Sequence, residues 1–160
     1  MPIMNRVRGR SMTPVLLGIA LMLLPAQALA GGDWNDAGID WRPYEGMLAE
    51  AKESGKPICL VFYTEWCGHC KNYSRVFHDS EVVEKAKSFV MVRVNKDMNR
   101  EISAMYDPDG QYIPRTYFLS KDGTLDPAIH APRTKYKYFY NEHEPASLLA
   151  GMDAALEKLE

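Results

Sequence analysis

The sequence predicts a single three-layer α/β domain, with helices covering both faces of a central mixed sheet. Three observations carry this expectation. Residues 57–64 (PICLVFYT) and 89–94 (FVMVRV) are continuous apolar runs of strand length, the pattern of strands buried on both faces. Stretches with apolar residues at helical spacing flank them. Asp122-Gly123 marks a tight turn between two extended segments, which adds an antiparallel pair.

With 160 residues the chain has room for one ordinary domain, and 46% hydrophobic with 25% charged residues suits a packed core rather than disorder. A formal charge of -2 and the lack of a basic patch argue against nucleic acid as a partner. The N-terminus stands apart. Arg6, Arg8 and Arg10 form a basic start with no acid before Asp33, residues 15–24 are almost wholly apolar, and Ala28-Leu29-Ala30 has the small-x-small pattern of a signal-peptidase site. About ten apolar residues fall short of the ~20 that a spanning helix needs. Residues 1–30 are therefore expected to be a signal peptide cleaved after Ala30, with an uncleaved anchor as the alternative. Cleavage removes three of the 19 basic residues and none of the 21 acidic ones. It places the mature protein in a periplasmic or secreted setting, away from the membrane, where disulfides persist.

The elements follow in order. Residues 31–40 are polar and Gly-rich, a flexible lead-in to the domain at 41–160. Residues 41–54 carry Trp41, Tyr44, Met47, Leu48 and Ala51 at helical spacing, with Pro43 in the first turn and Gly55 as the stop. The strand at 57–64 runs into a Cys-Gly-His-Cys segment; 71–78 then reads as helix, Asp79-Ser80 as a break and cap, and 81–87 as further helix. After the 89–94 strand, 99–106 is a short helix stopped by Pro108 and Gly110. Residues 115–120 form a third strand, and a short fourth one, interrupted by Pro127, follows the turn at 121–124. From about Glu144 a final helix places Leu148, Leu149, Met152, Leu156 and Leu159 on one face.

The chemistry concentrates at Cys67 and Cys70. Of three cysteines only this pair is close, so the chain lacks the bridges of a disulfide-stapled scaffold and the pair reads as reactive. It follows a buried strand and opens a helix. The first N–H groups of a helix have no internal partners and the helix dipole adds positive potential, so a thiolate at Cys67 is favoured there. Cys70, one turn on, is placed to resolve a mixed disulfide formed on Cys67. Gly68 permits the tight start, and Trp66 shields one side and offers an apolar contact. His69, between the cysteines, can donate a hydrogen bond to the Cys67 thiolate or bring positive charge near it, which favours the reduced pair and makes the oxidised form the better oxidant.

Two blander readings compete with redox chemistry. The pair could be half of a zinc site, but a second pair of soft ligands is missing: Cys59 lies inside a strand and His78 two turns away. It could also be an inert structural bridge. No metal and no cofactor is expected. Cys59 reads as a small buried hydrophobe, and His78, His130 and His143 as solvated or helix-end residues.

At this point a resemblance becomes specific. Trp66-Cys67-Gly68-His69-Cys70-Lys71 resembles the active-site motif of thioredoxins and protein disulfide isomerases. The segments FVMV (89–92), PDGQYIPR (108–115), FLSKDG (118–123) and YKYFY (136–140) are similar to the small single-domain thioredoxin-like proteins of the endoplasmic reticulum, related to the anterior-gradient proteins. The likeness covers about 41–157. It implies a thioredoxin fold with Cys67 as nucleophile, Cys70 as resolving thiol, a redox disulfide between them, and a cis Ile113–Pro114 peptide facing the pair. Ile113, Pro114 and Trp66 would then meet an extended substrate.

Two departures from that family stand out. The buried carboxylate usual six residues before the first cysteine is replaced by Val61, which leaves the Cys70 proton to water or to Glu65. The end, Lys158-Leu159-Glu160, is not a KDEL-type retention signal, so a bacterial periplasmic protein fits the leader best.

The expected function is thiol–disulfide exchange with protein or peptide thiols and disulfides, served by a redox partner protein. A periplasmic reductase recharged by a membrane electron donor is the rival. A third reading, from a different class, is a binding or chaperone module with little turnover, motivated by Val61 and the aromatic run Tyr136, Tyr138, Phe139 and Tyr140.

Overall fold

Residues 32–159 are described by the computed structural model; the signal peptide expected over residues 1–30, with its expected cleavage after Ala30, lies outside the described residues. Four strands, β1 (Trp41–Arg42), β2 (Ile58–Tyr63), β3 (Val90–Asn95) and β4 (Arg115–Leu119), form one sheet in the order β1-β3-β2-β4. β3 runs parallel to both β1 and β2, whereas β4 runs antiparallel to β2. The helices are α1 (Met47–Ser54), α2 (Gly68–Ser74), α3 (Ser80–Ala86), α4 (Arg100–Met105) and α5 (Ala146–Leu159), with a 3-10 turn over Arg75–His78 after α2.

β2 shows why this is a three-layer fold. Its side chains alternate across the sheet, yet both sides are buried. Ile58, Leu60 and Phe62 join Met47 and Ala51 of α1, Tyr117 and the partly buried Ile102 of α4. Cys59 and Val61 face the other way, into a cluster with Tyr73, Phe77, Val82, Leu148 and Met152 from the α2, α3 and α5 side. Burying one Leu- or Phe-sized side chain contributes roughly 1.5–3 kcal/mol, so a doubly covered central strand anchors both layers.

α5 approaches the sheet closely because position 151 has no side chain. A Cβ there would lie 2.7 Å from a Tyr140 ring carbon and 2.8 Å from a Phe118 ring carbon.

The structure departs from the sequence expectations in four places. The helix expected over 41–54 starts only at Met47. Trp41 and Arg42 instead pair with Met91 and Val92 on the open edge of β3, and Gly46, at φ 89°, turns the chain into α1. Residues 71–78 divide into the end of α2 and the 3-10 turn. The strand expected beyond the 121–124 turn shrinks to a single bridge between Leu119 and Leu125, and the chain returns to β4 only as a loop whose Tyr138 carbonyl accepts from the Thr116 N–H at 2.8 Å. Within the segment read as a lead-in, Trp34 and Ile39 are buried; Trp34 stacks against Trp41, Tyr63, Tyr73 and Phe77.

Candidate active site

β2 delivers the chain from the middle of the sheet to Cys67, which caps α2. Its backbone is extended, and its Sγ accepts the Cys70 N–H at 3.1 Å, filling one of the orphan donors of the first turn. Cys67 and Cys70 are disulfide-bonded with Cα atoms 5.2 Å apart. Cys70 is sealed in the core, and Cys67 is 4% exposed. The Ile113–Pro114 peptide is cis, and the Ile113 carbonyl oxygen lies 3.9 Å from Cys67 Sγ.

The other residues singled out in the sequence gather at the same rim. Gly68 is the first residue of α2. Trp66 stands 72% exposed, its indole N–H donating to Asp97 Oδ2 at 2.7 Å. His69 turns its Nδ1 toward the Glu142 carboxylate, at 2.8 and 3.0 Å from the two oxygens, rather than toward Cys67. Glu142 also accepts a hydrogen bond from Asn72 Nδ2 at 3.4 Å and lies 3.1 Å from His143 Nε2. Sequence reasoning missed Glu142, Asn72 and Asp97. Asp97 and Glu142 lie 31 and 73 residues from their partners, and only the polar run Asn141-Glu142-His143-Glu144 ahead of α5 hinted at a site element.

Beneath the pair the core is apolar. Val61 is fully buried, and the buried polar side chains among the described residues are Thr64, Ser74, Ser103, Arg115 and Thr116, with no carboxylate. Burial pushes the Cys59 thiol far up and raises the phenols of Tyr73 and Tyr140, so these groups hold their protons. Tyr73 shares a hydrogen bond with Thr116 Oγ1 at 2.8 Å. Glu65 faces the Tyr63 phenol and helps to raise it, behind burial as the main cause. Among the described residues no group of three or more His, Cys, Asp or Glu side chains is arranged to hold a metal ion.

A cysteine pair one turn apart at the end of a central strand, on a three-layer α/β sheet, is the equipment of a thiol–disulfide oxidoreductase. Comparison with known proteins agrees. The thioredoxin-like family model matches residues 40–121. Human anterior gradient protein 2 homolog is 31% identical over 135 residues, covering 83% of this chain and 74% of that protein. Anterior gradient protein 3 of Xenopus tropicalis is 28% identical, covering 84% of this chain and 80% of its own length. A Thermus thermophilus thioredoxin superposes with a TM-score of 0.58 at 22% identity, over 76% of this chain and 89% of that one. A DsbH oxidoreductase does so with a TM-score of 0.55 at 21% identity, over 85% and 93%. The chain belongs to the thioredoxin-like family.

Proposed function

We propose that this protein is exported and exchanges disulfides with protein or peptide substrates through its CGHC segment, with Cys67 as the attacking sulfur and Cys70 as the resolving one. The observation that carries the reading is the setting of Cys67: its Sγ caps α2 through the Cys70 N–H and sits beside the Ile113 carbonyl, while Cys70 is sealed behind it. On reduction, a thiolate at Cys67 keeps that N–H as a charge-assisted donor, which favours the anion and its reactivity. The backbone at Ile113 and Pro114 and the exposed Trp66 ring flank the sulfur, where an extended substrate segment can pair and pack. Export rests on the leader at residues 1–30.

Trapping tests this directly. Cys70→Ser is expected to accumulate mixed disulfides through Cys67 that a reductant releases, and the Cys67→Ser, Cys70→Ser double variant to accumulate none. No adducts from Cys70→Ser under oxidising conditions would sink the proposal. Direction follows from the reduction potential: a value near ~-180 mV assigns an oxidising or isomerising role, and one near ~-270 mV a reducing role fed by an electron donor.

A further inference from the structure

Thiol–disulfide exchange moves protons as well as electrons, and the core around Cys70 contains no carboxylate among the described buried residues. His69 is an acid–base group in the first turn of α2, between the two cysteines in sequence. Its side chain is 67% exposed, but its Nδ1 is engaged by both oxygens of Glu142. Glu142 is itself fixed. Its side chain is only 11% exposed, and Asn72 Nδ2 and His143 Nε2 both reach its Oε1. The Phe139 ring stands edge-on to the imidazole at 5.8 Å, and the Arg133 guanidinium lies over that ring at 4.7 Å. The groove beside His69, about 380 Å³, is also lined by Arg133, Glu142, His143 and Glu144, which are the charged and titratable groups facing the imidazole from the surrounding loop.

We infer that Glu142 is a positioning residue for His69, and that the two form a carboxylate–imidazole dyad that moves the proton of a substrate thiol during exchange. The inference rests on the proposed oxidoreductase function. A carboxylate on Nδ1 selects the tautomer with the proton there and leaves the Nε2 lone pair as the proton acceptor. An incoming substrate thiol gives its proton to Nε2. Its sulfur bonds to Cys67 Sγ as the Cys67–Cys70 bond breaks, and the electron pair of that bond stays on Cys70 Sγ. A second substrate thiol then attacks the first substrate's sulfur and displaces Cys67. The imidazolium proton goes to Cys67 Sγ, and the second thiol's proton reaches Cys70 Sγ through solvent. Two substrate thiols become one disulfide and the protein disulfide becomes two thiols, so two electrons and two protons are transferred. The reverse steps serve reduction equally.

The test follows reduction of the oxidised full-length protein by a peptide dithiol at neutral pH. His69→Ala is expected to slow the exchange by roughly 10²-fold, the lower end of general acid–base contributions. Added imidazole is expected to restore rate in proportion to its concentration, which a merely structural side chain would not allow. Glu142→Gln is expected to slow exchange about tenfold, with Glu142→Asp recovering part of the loss. His69→Ala, Glu142→Gln together should be no slower than His69→Ala alone, because the carboxylate acts only through the imidazole. A wild-type rate for Glu142→Gln, or no rescue of His69→Ala by imidazole, overturns the dyad. Trapping by Cys70→Ser with a disulfide-bonded peptide, whose bond Cys67 attacks to form the mixed disulfide and release the other sulfur as a thiol, separates the two levels. Adducts with an unaffected Glu142→Gln reject the dyad alone, and no adducts reject the oxidoreductase reading itself.

Discussion

Cys59 and Cys67 stand eight residues apart on one continuous stretch of chain, and their surroundings could hardly differ more. Cys59 sits inside β2, paired across the sheet with Met91 on one side and Phe118 on the other, and covered by the α2, α3 and α5 layer. Burial drives its thiol far from ionising. Cys67 lies just past the strand's end, where the ladder stops and a helix begins. There a backbone N–H points at its sulfur. One polypeptide run therefore carries both an inert and a reactive sulfur, and the distinction lies in the backbone around each rather than in the residue. Where the sheet closes over a side chain, chemistry is suppressed. Where the sheet releases the chain, unpaired donors become available.

Four experiments would break or sharpen that contrast. The largest effect is expected from Cys67→Ser, which should reduce exchange to the uncatalysed background. Cys59→Ala should leave the rate unchanged, as measured by reduction of a disulfide-linked peptide. Next comes alkaline pH. The Cys59, Tyr73 and Tyr140 groups have folded values raised above the ordinary 9.0 and 10.0, so their contribution to stability is complete below those values and is lost as pH rises through them. Denaturant titration should show constant stability up to about pH 9 and then a decline, each group adding up to about 1.4 kcal/mol per pH unit. Gly151→Ala should cost about 2 kcal/mol, since its Cβ would press on Tyr140 and Phe118 and overpack the α5 contact. The smallest effect is expected from Tyr140→Phe. The buried Tyr140 hydroxyl has no hydrogen-bond partner among the described residues, so its removal should raise the thermal midpoint slightly, by no more than about 1 kcal/mol of stability.

Much of this arrangement was legible from local pattern. The unbroken apolar run of β2, the cysteine pair directly after it, the Asp79 cap of α3 and the apolar face of α5 are all features that neighbouring residues determine together. Asp79 accepts from the Glu81 and Val82 N–H groups, as a cap should. What escaped is what distant chain decides. Trp41 and Arg42 have helical spacing with the residues that follow, yet the free edge of β3 draws them into the sheet. Leu125 has strand character, but Pro127 and the loop through Tyr138 leave it one bridge. Trp34 looked like part of a loose segment because its aromatic partners are spread over Trp41, Tyr63, Tyr73 and Phe77. Glu142 escaped for the same reason: a loop residue acquires its meaning only when α5 brings it over α2.

Arg115, the first residue of β4, is fully buried beside Pro114, and it has a consequence for the conditions the site tolerates. Its guanidinium lies over the Phe62 ring at 4.8 Å and donates to the Gly110 carbonyl at 3.0 Å and to Ser103 Oγ at 2.6 Å. These acceptors are a carbonyl and a hydroxyl, neither of which takes up a proton as the medium acidifies. A clamp made with a carboxylate would loosen in acid; this one has no such weak point, and a falling pH only favours its charged form. The segment that presents Ile113 to Cys67 is thereby tethered from within by ties indifferent to acidity.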